Sequence, residues 1–169
     1  MNLIDKNFRE NKLRFLAQSA LATVAVFLVL LLVRPLTNAA IIAALGASSF
    51  VAFTMPHRPI SRPRHLLGGY LVGIACGVGA HYIETIPLIA DIEIVTRHQE
   101  VLFGAMAVGA AFFVMVVTDT EHSPACGVAL GLVLLEDSFR IWVVAVILAG
   151  ILCLVILKAL LKKVLIDLI

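Results

Sequence analysis

Charge is what this sequence has least of. Only 14% of its 169 residues are Asp, Glu, Lys or Arg, against about a quarter in an average soluble domain. The net charge of +2 supplies no basic face, so no nucleic-acid partner is expected. Cysteine is scarce too. Cys76, Cys126 and Cys153 lie in apolar segments without pair spacing, which argues against a disulfide framework or a zinc site. The chain has no Gly-rich phosphate loop and no His-Glu-x-x-His, so neither of those enzyme chemistries is available. Ser48, Ser49 and Ser123 would need a nearby base to act as nucleophiles, and no spacing supplies one. We therefore expect no enzyme, no cofactor and no metal. His57, His65, His81 and His98 are scattered over loops and helix ends, without the convergence a metal or haem needs.

What the chain has is apolar length. It is 62% hydrophobic with a mean hydropathy of +1.07, more apolar surface than a water-soluble body of this size can bury. The reading is a single integral membrane domain over residues 1–169. Apolar runs fall at about 16–33, 39–55, 66–83, 101–117, 124–135 and 141–157. In lipid, unpaired backbone groups are so costly that such runs must be helices, which predicts an all-α protein. The breakers are Arg34-Pro35, "MPHRPISRPRH", an acidic stretch around Glu84, Asp91 and Glu93, "TDTEHSP", and "EDSFR". The second and fifth runs are short for a hydrocarbon core of about 30 Å. Trp142 suits an interface anchor. Gly68, Gly69, Gly73, Gly77 and Gly79 crowd the third run, a pattern of close helix packing.

Basic residues set the orientation. With six crossings and a cytoplasmic N-terminus, ten Lys and Arg fall inside and three outside. If the second and fifth runs only re-enter, the split weakens to 8 against 5. The positive-inside rule prefers six crossings. The expectation is a multi-pass protein of the cell's inner (plasma) membrane, with both termini and residues 56–65 cytoplasmic.

The chain also repeats itself. At a shift of 85, nine of the 27 pairs from residue 20 to 46 are identical, including Ala44-Leu45-Gly46 with Ala129-Leu130-Gly131. Further on, "GIAC" at 73–76 meets "GILC" at 150–153. Two halves of three crossings, about 13–83 and 98–162, must have opposite orientations, which predicts a 3+3 inverted-topology repeat. The two breaks then correspond. The short helices are expected to start at Asn38 and Ser123, both good N-caps, with Pro124 in the first turn. Two helix N-termini approaching from opposite sides would form an anion site. Arg34, Asn38, His122 and Ser123 are the expected substrate-binding residues. Arg34 and Asp119 correspond at the same shift and are expected to pair. His122 is a candidate proton-sensitive ligand. Arg58, Arg62 and Arg64 share one Pro-rich loop, which fits a topological role with lipid headgroup contact.

Two stretches carry a family resemblance. "GASSFVAFTMPHRPISRPRHLLGGYLVG" at 46–73 resembles the first conserved block of the HPP family of integral membrane proteins, through Gly46-Ala47-Ser48, Pro56, Pro63-Arg64 and Gly68-Gly69. "HSPACGVALGLVL" at 122–134 resembles the block that names the family, with His122 and Pro124 in place and Ser123 where the middle proline stands. Family members usually carry His or Asn where His65 and Tyr70 stand here. Plastid and cyanobacterial members are associated with nitrite transport, so the resemblance implies a transporter or channel for a small inorganic anion. The partners implied are that anion and the lipid bilayer, and a homo-oligomer is compatible with them. The rival expectation is a non-transporting membrane scaffold or subunit of a larger complex.

Overall fold

The computed structural model describes residues 11–36, 38–87, 93–135 and 141–168. The basic residues Lys6 and Arg9, the acidic Asp91 and the "EDSFR" break at 136–140 lie outside the described residues. Six α-helices account for the six apolar runs. They are α1 (Lys12–Leu32), α2 (Ala39–Thr54), α3 (Pro63–Glu84), α4 (Glu93–Thr118), α5 (Ser123–Val133) and α6 (Ile141–Leu161). A 3-10 turn at Pro59–Ser61 precedes α3, and the helical path of α4 is broken at His98. No strand occurs among the described residues. The segments Lys12–Leu32, Pro63–Glu84, His98–Thr118 and Ile141–Leu161 are long and apolar enough to cross a membrane. The helices α2 and α5, of 16 and 11 residues, rise about 24 and 16 Å.

Contacts fix the directions. Gln18, near the start of α1, donates to the Phe53 carbonyl at the end of α2 at 2.5 Å, so α2 returns the chain to the face from which α1 left. α3 starts again from that face, because the buried Lys158 near the end of α6 donates to the Ser61 carbonyl just before it. The C-terminal tail closes the same face. Gln18 also bonds Ile166 through both ends of its amide, at 2.8 and 3.2 Å. The Leu168 amide donates to Thr54 at 2.8 Å, and the His57 amide to Asp167 at 2.9 Å. A buried glutamine amide needs such partners for both its oxygen and its nitrogen. The tail and the loop at 56–65 are thus on one side, in line with the grouping of basic charge.

The centre is built by the two short helices against α3. α2 and α5 run antiparallel, side by side. Asn38 meets Gly131, Ala44 meets Gly127, and Ser48 meets His122. α3 and α5 run parallel, with Gly69, Gly73 and Gly77 facing His122, Ala125 and Ala129 in turn. These glycines stand one helical turn apart on one face. A Cβ on Gly77 would lie 2.7 Å from the Ala129 carbonyl oxygen and 2.9 Å from its Cα, so the two backbones touch. The corresponding contact in the other half differs. A Cβ on Gly150 would meet side chains, Val33 at 2.8 Å and Leu45 at 3.3 Å. Successive helices alternate in direction, and the glycine contacts of α3 and α6 differ in detail.

Gly77→Ala should cost about 1–3 kcal/mol, the usual range for overpacking against a part that cannot yield. Gly79→Ala has nothing within 4 Å of the new methyl and should be neutral or slightly stabilising through helix propensity. Thermal melts of the two variants in detergent check this. Equal melting points would show that α3 and α5 do not touch at Gly77.

Candidate functional site: a buried polar group between the short helices

The segment between α4 and α5 is shaped by backbone caps. Asp119 has φ 54°, the left-handed conformation that commonly ends a helix. The Thr120 amide then bonds the Met115 carbonyl at 3.0 Å, and the Asp119 amide the Val116 carbonyl at 3.4 Å. This is a Schellman ending with Asp where glycine is usual, and Asp is among the residues that tolerate the position. The chain next dips toward the interior. Thr120 lies against Gly68, and the Cβ of His122 would be 2.6 Å from a Cβ on Gly69. Gly69 is six residues into α3, about 9 Å along its axis. The N-cap of α5 is His122, Ser123 is its first helical residue, and no side chain caps it. That corrects the expected Ser123 cap. Pro124 does stand in the first turn.

His122 is fully buried. Its Nε2 lies 2.8 Å from the Ser48 Oγ. The same Oγ lies 2.9 Å from the Tyr70 hydroxyl and donates to the Ala44 carbonyl at 2.9 Å. The Tyr70 and His122 rings sit 5.8 Å apart, centre to centre. Ser48 and Tyr70 are as buried as His122, each at 0% exposure. Three fully buried polar side chains from α2, α3 and the start of α5 are therefore joined in the core. Burial of these groups is tolerable only because they hydrogen-bond one another. One atom is left over. The His122 Nδ1 is buried without a hydrogen-bond partner among the described residues.

Two expectations about the breaks are overturned. The first is the ion pair between Arg34 and Asp119. Asp119 pairs instead with Arg64, Oδ2 to Nη2 at 3.3 Å, and Arg64 also donates to the Thr118 carbonyl at 2.9 Å. Arg34 is exposed at the end of α1, on the opposite side. Correspondence in a repeat says which positions are equivalent, not which ones touch. The second is the facing pair of helix N-termini. His122 meets α2 at Ser48, ten residues from Asn38, so the two helix starts are about 15 Å apart along α2. Each points outward, toward the side from which its helix enters. The cause is lateral packing. Ala40, Ala44, Gly127 and Gly131 are small enough for α2 and α5 to overlap along their lengths.

Asn38 caps α2 as its sequence position indicates, its Oδ1 accepting from the amides of Ala40 at 3.1 Å and Ile41 at 3.2 Å. Its Nδ2 donates to the Gly131 and Leu134 carbonyls at 3.1 and 3.3 Å. Both donor hydrogens and both oxygen lone pairs are engaged. Asn38 thus clamps the start of α2 to the end of α5. Of the four expected binding residues, His122 and Ser123 fall together, while Arg34 and Asn38 lie at the far end. Ser48 and Tyr70 were not anticipated as partners of His122. The available signal was Ser48 inside the resemblance block. Below His122, the His65 Nδ1 stands 3.7 Å from a Glu121 carboxylate oxygen, and Glu121 is half exposed.

Four long apolar helices around a buried polar group define a multi-pass membrane protein. The family model for the HPP transmembrane region matches residues 9–166, nearly the whole chain, so the chain belongs to the HPP family. Among curated proteins and among solved structures nothing matches the chain.

The ion-pair correction has a measurable consequence. Side-chain exposures of 63% for Arg64 and 69% for Asp119 make this a surface pair, which contributes about 1 kcal/mol or less. Asp119→Asn should therefore change stability by no more than that. A thermal-melt comparison showing a loss of about 3–5 kcal/mol, the cost of breaking a buried pair, would restore the internal pairing.

Proposed function

We propose that the chain is a membrane transporter or channel for a small inorganic anion, with nitrite as the first candidate, and that the anion passes His122. The observation that carries the reading is the closed group Ser48–Tyr70–His122, at 0% exposure, with one unused nitrogen. Polar groups inside a membrane domain are costly and tend to mark substrate paths. Family membership supports the choice of class, through the nitrite transport associated with plastid and cyanobacterial members. Ser123, exposed at the outward-pointing start of α5, opens toward the side of residues 56–65, where Arg64 is held by Asp119 at the rim. In our reading that side is the cytoplasm and the membrane is the plasma membrane, because eight Lys and Arg among the described residues gather there. The 3+3 inverted repeat belongs to this reading, with the alternating helix directions in its favour.

One observation favours a second reading. Asn38 is wholly consumed by capping and clamping, which suits a non-transporting scaffold whose breaks only end helices. Flux decides between them. Purified full-length protein in liposomes should pass nitrite faster than empty liposomes do, and Ser48→Ala, which removes the partner of His122, should slow it about tenfold or more. No protein-dependent flux of nitrite, nitrate or chloride would leave the scaffold reading.

A further inference from the structure

The hydrogen-bond inventory around Ser48 decides where the protons sit. A serine hydroxyl has one hydrogen and two lone pairs. The Ser48 Oγ has three neighbours, the Ala44 carbonyl at 2.9 Å, the Tyr70 hydroxyl at 2.9 Å and the His122 Nε2 at 2.8 Å. A carbonyl oxygen cannot donate, so the one Ser48 hydrogen goes to Ala44. The two lone pairs then accept, one from the Tyr70 O–H and one from the His122 Nε2–H. A neutral imidazole with its hydrogen on Nε2 carries a bare lone pair on Nδ1. That is the buried atom without a partner among the described residues.

A bare lone pair repels an anion, which brings only acceptors of its own. It accepts from a donor. Resting on the anion-transport reading, we infer that the buried group takes up its anion together with one proton, so that the transported unit is electrically neutral. A proton added to Nδ1 turns the repelling atom into a donor: imidazole, one proton and one anion give an imidazolium–anion pair of zero net charge. The conjugate acid of the anion, donating to neutral Nδ1, is the same assembly with the hydrogen drawn on the other partner. On release, proton and anion leave and His122 returns to its Nε2–H form. The neutral unit also avoids an isolated charge in an apolar interior, which is far costlier than a paired one.

The surroundings offer a proton but no fixed cation in contact. α2 contributes Ser48, and α4 from Val101 to Thr118 has no charged residue. α6 contributes Lys158, which is engaged with the Ser61 carbonyl. α3 contributes Tyr70, the largely buried His65 one turn before Gly69, and Arg64, which pairs with Asp119 at the exposed rim. The connection to α5 contributes Glu121, 3.7 Å from the His65 Nδ1. Glu121 and His65 lead from solvent toward His122, a route for the proton.

The test uses the full chain in liposomes with a pH-sensitive dye inside, potassium and valinomycin to set the voltage, and nitrite as the probe. Passive entry of nitrous acid is measured in empty liposomes and subtracted. The expected result is one proton delivered per nitrite, at a rate that does not follow the voltage and rises by up to about tenfold per unit fall in pH, the slope of a single bound proton. His122→Gln keeps a donor for Ser48 but has no titratable nitrogen, and should lose this pH dependence. Nitrite uptake that follows the voltage without acidifying the lumen would overturn the inference and leave anion transport standing. Unchanged proton coupling in His122→Gln would overturn it as well. No uptake of nitrite, nitrate or chloride would overturn both. The wild-type stoichiometry decides the matter even if the variant does not fold.

Discussion

The contact of α3 with α5, backbone against backbone, is the constraint on which the rest of this structure depends. Gly69, Gly73 and Gly77 lack the atom that would hold the helices apart, and a Cβ at Gly77 would come within 2.7 Å of the Ala129 carbonyl oxygen. Between helices in lipid, association rests on close van der Waals packing and on polar contacts. The glycine face provides the first. Because it begins at Gly69, the start of α5 is drawn about 9 Å along α3, and the His122 ring is carried below the surface. Ser48 and Tyr70 then become its partners. The buried polar group is a consequence of where the glycines stand.

Hydropathy made the helices legible. The runs agree with the helices to within four residues except at the start of α4, which begins eight residues before its apolar run, because an apolar run in lipid must satisfy its backbone internally. The close packing of the third run was legible as well, since glycines one turn apart need only helical geometry to share a face. What failed was inference across space. Arg34 and Asp119 are equivalent under the shift of 85 but lie on opposite sides, with Asp119 bonded to Arg64. Ser48 is 74 residues from His122, and no local pattern announces such a pair. Asn38 was legible as a cap, yet its second task, holding the Gly131 and Leu134 carbonyls at the end of α5, depends on the lateral overlap of two helices that the sequence had suggested would face one another.

Asp119, Glu121 and His122 also separate into different jobs. Asp119 ends α4 in a left-handed turn and meets Arg64 at the rim. Glu121 stands between solvent and His65. Only His122 enters the core. A stretch that reads as one acidic interruption in the sequence is thus a graded descent from the surface to a fully buried imidazole, within four residues.

The central claim is that His122 is a buried, neutral imidazole whose Nε2 carries the hydrogen and bonds Ser48. Nitrogen-15 NMR of histidine-labelled full-length protein in lipid nanodiscs at neutral pH reads both ring nitrogens directly. The account predicts for His122 a protonated Nε2, a bare Nδ1 and slow exchange of the ring hydrogen with water, with the signals assigned through a His122→Gln sample. A His122 ring with its hydrogen on Nδ1, or one exchanging freely with solvent, would contradict it.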